Sequence, residues 1–210
     1  DATVYSLSPT QQLTCGEGGL IATRHAELAR LLRQARNYGK GEAYDCDVLG
    51  LNARMSELQA ALGRAGLPGL GEKIRRRNEI AARYEARLGA LPGLRFQHVP
   101  RGAESSRKDF AVVLGQGWSR PAIQSELAAA AIDSRAYFDP PLHRQKLYAP
   151  FHRPKVEPLR VTETVSRRIL CLPIHTRMSD ADVDRVAAVF EAHAERHRAT
   201  AEPALEAVPA

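Results

Sequence analysis

The side chains with chemistry to offer sit in a few short loops. His143 follows Pro140-Pro141-Leu142, with Tyr137, Asp139 and Gln145 around it. An imidazole that titrates near neutrality, beside a phenol and a carboxylate, is a candidate general acid or base. Glu17, in the turn Gly16-Glu17-Gly18-Gly19, has two roles open to it: accepting backbone N–H groups or joining such acid–base work. His175, after Leu172-Pro173-Ile174, reads as a structural hydrogen-bonding histidine, and Lys108-Asp109 as a surface ion pair. Cys15 is a weak nucleophile candidate, because no histidine near it in sequence would draw its thiol toward the thiolate. Ser6 ends a strand beside a turn. Asn52 precedes a helix, where its ordinary role is to cap the free N–H groups.

These residues need elements to hold them. Thr3 to Leu7 alternates like a strand, residues 8–12 turn, and Leu20 to Thr23 forms a second short strand. The spacing of Leu28, Leu31, Leu32 and Ala35 predicts a helix over about 25–38, ended by Gly39 and Gly41. Asn52 opens another helix, which the run Gly63 to Gly71, with Pro68, breaks or bends. A long amphipathic helix is expected over about 72–88, and Pro92-Gly93 then turns the chain. Strands are expected at 94–96, 109–114 and 168–172, a helix at 121–131, and a last helix capped by Ser179 with Asp180 and Asp182 in its first turn. The division expected is 1–71, a connecting helix 72–93, a small α/β domain 94–198, and a disordered Ala- and Pro-rich tail 199–210.

Composition narrows the function classes. With 210 residues and 44% hydrophobic content, the chain has enough apolar material for one sizeable core. No apolar run approaches the roughly 20 residues that span a bilayer. Asp1 to Val4 lacks the basic-then-apolar pattern of a signal peptide, so a soluble cytoplasmic protein is expected. Three cysteines, Cys15, Cys46 and Cys171, are too few and too scattered for a disulfide framework. The formal charge of +6 is spread along helices among Glu and Ala, and the cluster Arg75-Arg76-Arg77 is followed by Glu79 and Glu85 at helical spacing. No aromatic residues interleave with the basic ones, so neither nucleic acid nor membrane is an expected partner.

The specific signal is an ordered set of motifs. Ser6-Leu7-Ser8-Pro9-Thr10-Gln11-Gln12-Leu13-Thr14-Cys15-Gly16-Glu17-Gly18-Gly19 resembles the stretch S-F-H-x-T-K-N-L-T-T-G-E-G-G of the DegT/DnrJ/EryC1/StrS aminotransferases. Gly50 to Ser56 resembles that family's G-x-N-x-R-M-S/T, followed by Gln59-Ala60-Ala61. Pro140-Pro141-Leu142-His143 and Leu172-Pro173-Ile174-His175 resemble its P-P-x-H and L-P-x-H signatures. The resemblance implies an α/β chain of the fold type I, pyridoxal-phosphate (PLP) class: a remnant of the large domain plus a small C-terminal α/β domain. It implies cofactor-facing positions at Ser6 (phosphate), Gln11 (the Schiff-base lysine) and Asn52 (phosphate of the neighbouring subunit), and a pocket mouth at the His143 loop.

Two departures shape the functional expectation. A carboxamide nitrogen is delocalised into its carbonyl and cannot condense with an aldehyde, so Gln11 cannot replace a Schiff-base lysine. Furthermore, the family's lysine lies near mid-chain and its counterpart here is residue 11, so roughly the first half of the fold is expected to be missing. That half would carry the ring-stacking aromatic and the carboxylate that pairs with the pyridine nitrogen. No cofactor is expected on this chain alone, with PLP held only non-covalently or with a partner supplying the missing half. Three readings follow. The first is a repurposed, PLP-independent enzyme of bacterial sugar or secondary-metabolite biosynthesis, with His143, Glu17, Tyr137 and Asp139 as acid–base residues acting on a small metabolite. The second is a non-catalytic partner of an aminotransferase-type chain, as a homodimer or hetero-complex. The third is an inactive fragment or variant of a sugar aminotransferase.

Overall fold

The structure, a computed structural model, describes residues 1–153 and 158–201. The chain divides into two compact units, one of Asp1–Lys73 and one that begins at Ile74.

In the first unit, strands β1 (Ala2–Ser6) and β2 (Gly19–Thr23) pair antiparallel, from Ala2 opposite Thr23 to Ser6 opposite Gly19. Leu7 N–H donates to the Gly18 carbonyl at 2.9 Å and Cys15 N–H to the Leu7 carbonyl at 3.0 Å, closing the connection between them. Helix α1 (Ala26–Ala35) is shorter than its apolar spacing predicts. The chain leaves it through Tyr38 and Gly39, both at positive φ. A Cβ on Gly39 would lie 1.7 Å from the Val48 carbonyl oxygen, so only glycine fits this crossing. Helix α2 spans Glu57–Gly66. Its N-cap is Ser56, not Asn52: Ser56 Oγ accepts from Gln59 N–H at 3.3 Å, and the Gln59 side chain accepts from Ser56 N–H at 3.1 Å. A reciprocal Ser/Gln box satisfies two free donors where a lone Asn would satisfy one. Asn52 instead sits in an isolated bridge with Asn37. Helix α3 (Leu70–Leu88) crosses from this unit into the next.

The second unit holds the core. Strands β3 (Leu94–Phe96), β4 (Phe110–Leu114) and β5 (Ile169–Leu172) form an antiparallel sheet in that order. Along β4 the buried positions alternate, with Phe110, Val112 and Leu114 inward, as a half-covered sheet requires. Helices α4 (Arg120–Ala129), α5 (Arg160–Arg168) and α6 (Asp180–Ala201) complete the unit. Ser119 caps α4, and Ser179 caps α6 by exchanging hydrogen bonds with Asp182. Ile80, Tyr84 and Leu88 of α3 join Ile123 and Leu127 of α4, and Val183 and Phe190 of α6, in one core with the sheet.

Three sequence expectations change. Helix α5 was not expected: Val161, Thr162, Thr164 and Val165 are β-branched and poor helix formers, and tertiary packing overrides them. The bend between α2 and α3 is confined to the residues between Gly66 and Leu70. Helix α6 runs through Ala201, into the stretch expected to be a disordered tail, whose remainder lies outside the described residues.

Apolar burial differs sharply between the units. Every member of the core cluster belongs to the second, whereas Leu7 and Cys15 are the buried hydrophobic residues of the first. Replacing Phe110, which is 1% exposed, by Ala is expected to cost about 3–5 kcal/mol in chemical denaturation. Leu58→Ser, at a side chain 84% exposed, is expected to stay within about 0.5 kcal/mol of the parent. Equal losses would show that the first unit carries a core of its own.

Candidate active site

Arg160, Glu163, Thr164 and Arg167 recur at i, i+3, i+4 and i+7 and therefore share one face of α5. Two short 3-10 turns, Leu142–Arg144 and Ala149–Phe151, bring His143, Arg144 and His152 to the same place. Together these residues line an open cavity of about 670 Å³.

Glu163 is the hub of this group. Its Oε1 accepts from His143 Nε2 at 2.8 Å and from Arg144 Nε at 2.6 Å, and its Oε2 lies 3.4 Å from Arg167 Nη1. The side chains of His143 and Glu163 are only 10% and 17% exposed. The Arg144 guanidinium first, then the His143 ring, hold the Glu163 carboxyl down at about 2. The carboxylate therefore stays charged and fixes His143 Nε2 as the nitrogen that carries hydrogen. A carboxylate that holds the ring through Nε2 orients it, the arrangement of an oriented general base. The His152 ring lies 4.7 Å from that of His143, centroid to centroid. Glu163 was missed in the sequence because its helix was missed. The usable signal was Glu163 and Arg167 at i and i+4, flanked by Val161 and Val165 at the same spacing.

The other acid–base candidates are not gathered at this cavity. Asp139 is ion-paired with Arg120, whose Nη1 also donates to the Ser166 carbonyl at 2.7 Å, so this carboxylate ties the loop to the α4 start. Tyr137 stacks on Phe138 and lines a separate cavity of about 500 Å³ with Lys108, Cys171 and His175. Lys108 Nζ lies 3.0 Å from Asp109 and 5.9 Å from the Tyr137 ring centre, and burial pushes the Cys171 thiol up. Glu17 belongs to the first unit. Its side chain is exposed, and its carbonyl accepts from Gln59 Nε2 at 2.8 Å.

The three positions expected to face a cofactor also lie in the first unit. Ser6 Oγ accepts from Ser8 N–H at 3.3 Å, and Gln11 N–H donates to the Ser8 carbonyl at 3.0 Å. Asn52 Oδ1 accepts from Arg54 Nη2 at 3.5 Å. No lysine occurs between Leu7 and Gly18. The ammonium recorded beside this turn is that of Lys73, whose Nζ donates to the Gln12 carbonyl at 3.5 Å. A carboxamide at position 11 offers hydrogen bonds and no condensing amine, so these residues do not fit a pyridoxal group bound covalently there.

The depressed Glu163 pKa carries a pH signature. A carboxyl ordinarily near 4.5 and held at about 2 in the folded chain contributes stability that is full above about 4.5 and is lost as the pH falls toward 2. Glu163→Gln is therefore expected to lower the melting temperature at neutral pH and to bring it closer to the parent's near pH 2. Parallel melting curves of parent and variant across that window would remove Glu163 as an acid-sensitive anchor.

The chain matches the family model described as the DegT/DnrJ/EryC1/StrS aminotransferase family over residues 1–191. It is 33% identical over 191 residues to a UDP-N-acetyl-3-dehydro-alpha-D-glucosamine 3-aminotransferase of Acidithiobacillus ferrooxidans, covering 90% of this chain and 50% of the relative. It is 32% identical over 193 residues to a dTDP-3-amino-3,4,6-trideoxy-alpha-D-glucose transaminase of Streptomyces venezuelae, covering 91% and 50%. Among solved structures, S. venezuelae DesV in complex with a ketimine intermediate superposes with a TM-score of 0.86 at 32% identity, over 93% of this chain and 52% of that one. The chain thus spans about half the length of the curated relatives it matches. The ordered motifs, the matched residues and the shared fold agree, and the chain belongs to the DegT/DnrJ/EryC1/StrS aminotransferase family.

Proposed function

We propose that this chain is the C-terminal half of a DegT-type fold that has left Schiff-base chemistry and serves bacterial sugar or secondary-metabolite biosynthesis in the cytoplasm without transaminating. The observation that carries this reading is Gln11, set by the motif at the lysine position, in a turn that contains no amine. The relatives' activities, transaminations of nucleotide-linked sugars, indicate the metabolite class rather than the reaction.

The reading includes a partner segment. Val4, Leu49, Leu51 and Leu58 are between 72% and 99% exposed in a unit with almost no buried apolar side chain, a distribution that isolated soluble proteins avoid. The occupant that fits is the half of the fold that the relatives possess beyond the matched region, in the same polypeptide or another. Within this frame a second reading has a specific observation in its favour. The His143–Glu163 pair is built like an oriented general base, so a PLP-independent acid–base reaction would fall to His143.

Incubation with PLP, borohydride reduction and peptide mass spectrometry test the main reading. The expected result is no stoichiometric pyridoxyl-lysine. Complete labelling of Lys73, whose ammonium donates to the Gln12 carbonyl, or of Lys40 would overturn it. If the second reading holds, His143→Gln lowers turnover in the pathway about 10²-fold or more with an unchanged melting curve. Full turnover in that variant would leave the partner role alone.

A further inference from the structure

The His143–Glu163 pair joins two segments of the second unit, and one of them has little apolar hold on the core. Helix α5 is written in β-branched residues, and Ser166 is its one buried residue. A helix so placed needs a polar tie to keep Glu163 at a fixed distance from a histidine on another segment.

Arg120 supplies a tie to both segments. Its side chain is 17% exposed, and its Nη2 is ion-paired with Asp139 in the loop that leads to His143. Its Nη1 donates to the Ser166 carbonyl of α5 at 2.7 Å. Arg120 itself is set on a fixed element. Ser119 caps α4, Pro121 pre-sets the first turn, and Ile123 and Leu127 lie in the core. The dipole of α4 disfavours a cation at its first residue, and the Asp139 carboxylate offsets that cost. The Ser166 carbonyl belongs to the last turn of α5, where unpaired carbonyls favour a cation. Both arms that run from Arg120 to the pair are short. Asp139 reaches His143 through Pro140-Pro141-Leu142, two of whose residues have φ fixed by their rings. Ser166 lies one turn after Glu163, and its Oγ donates to the Glu163 carbonyl at 3.3 Å.

We propose that Arg120 is a positioning residue for the His143–Glu163 pair, clamping the His143 loop and α5 to the start of α4 so that ring and carboxylate meet. The planar guanidinium serves both partners at once, which a single ammonium cannot do in the same geometry. Arg120 acts through these two neighbours and does not itself line the His143 cavity among the described residues. Its consequence for turnover rests on the reading of His143 as an oriented general base; its consequence for the geometry of the pair does not.

The test reads the pair directly. The Glu163 carboxyl, held at about 2 by Arg144 and His143, reports whether α5 still faces the His143 loop. Followed by carbon NMR from about pH 6 to about pH 3, it is expected to stay a carboxylate in the parent and to take up its proton within that window in Arg120→Gln. Arg83→Gln breaks a comparable ion pair, that with Asp184, elsewhere in the second unit, and is expected to leave the Glu163 signal as in the parent. Arg120→Lys keeps the charge without the fork and is expected to fall between parent and Arg120→Gln. Turnover in Arg120→Gln is expected to drop about tenfold or more, the scale of a misplaced catalytic group. A Glu163 carboxyl that stays ionised in Arg120→Gln, or that shifts equally in Arg83→Gln, would overturn the positioning role. If Arg120→Gln does not fold, Arg120→Lys carries the test, and a Glu163 titration identical to the parent's would overturn the role. Full turnover in His143→Gln beside a shifted Glu163 titration would remove the general-base reading and leave the clamp standing.

Discussion

Tyr84 of α3 stacks on Phe110 of β4 with ring centres 4.9 Å apart, and the Tyr84 hydroxyl donates to the Pro173 carbonyl at 3.0 Å. Both rings are fully buried, so this contact joins helix α3 to the middle strand and to the loop that follows β5. The sheet in turn sets where α5 enters β5 and where the His143 turn meets α5. A stack of this kind adds specific geometry to what is otherwise non-directional apolar burial. Burial also pushes the Tyr84 phenol up, which keeps it a neutral donor.

Around that core, polar contacts choose the alignment of the helices. Arg83 grips Asp184 with two bonds of 2.9 and 2.6 Å, and Arg87 grips Glu191 with two of 3.0 and 2.8 Å, all between α3 and α6. These groups are about one-third exposed, so solvent screens them and each pair adds little stability. Their bidentate geometry is directional. On the other side of α6, His193 bonds Glu126 of α4 at 2.9 Å and stacks on Trp118. Apolar burial supplies the cohesion of the second unit; these forks supply its register.

The first unit illustrates the opposite limit. Its hairpin, its two helices and the glycine crossing at Gly39 are well satisfied in hydrogen bonds, yet its apolar side chains find little to pack on. Backbone hydrogen bonds fix conformation while contributing modest net stability, so the fold of this unit is held by hydrogen bonds more than by apolar burial. The motif that holds Gln11 lies in the unit without a core, and the His143–Glu163 pair lies in the unit that has it.

Much of this was legible in the residues themselves. Local signals sufficed where the cause is local: the alternation of β4, the Ser179 cap, the apolar stripe of α3 and the absence of an amine from the turn that holds Gln11. Local reading failed where one residue type serves two purposes. Asn52 looked like a cap until the Ser56–Gln59 box, which is a better one, was seen to take the helix start. Helix α5 is written in β-branched residues, and without it Glu163 had no reason to meet a histidine twenty positions earlier. The same loop that sequence grouped around His143 was split by tertiary contacts, because Arg120 claims Asp139 and the second cavity claims Tyr137. Sequence by itself determined the family and the elements with a clear local pattern, such as β4 and α3, since those depend on residue identity and short-range periodicity. Only the tertiary structure decided which charges meet, because Coulomb and hydrogen-bond energies depend on distances that no spacing along the chain encodes.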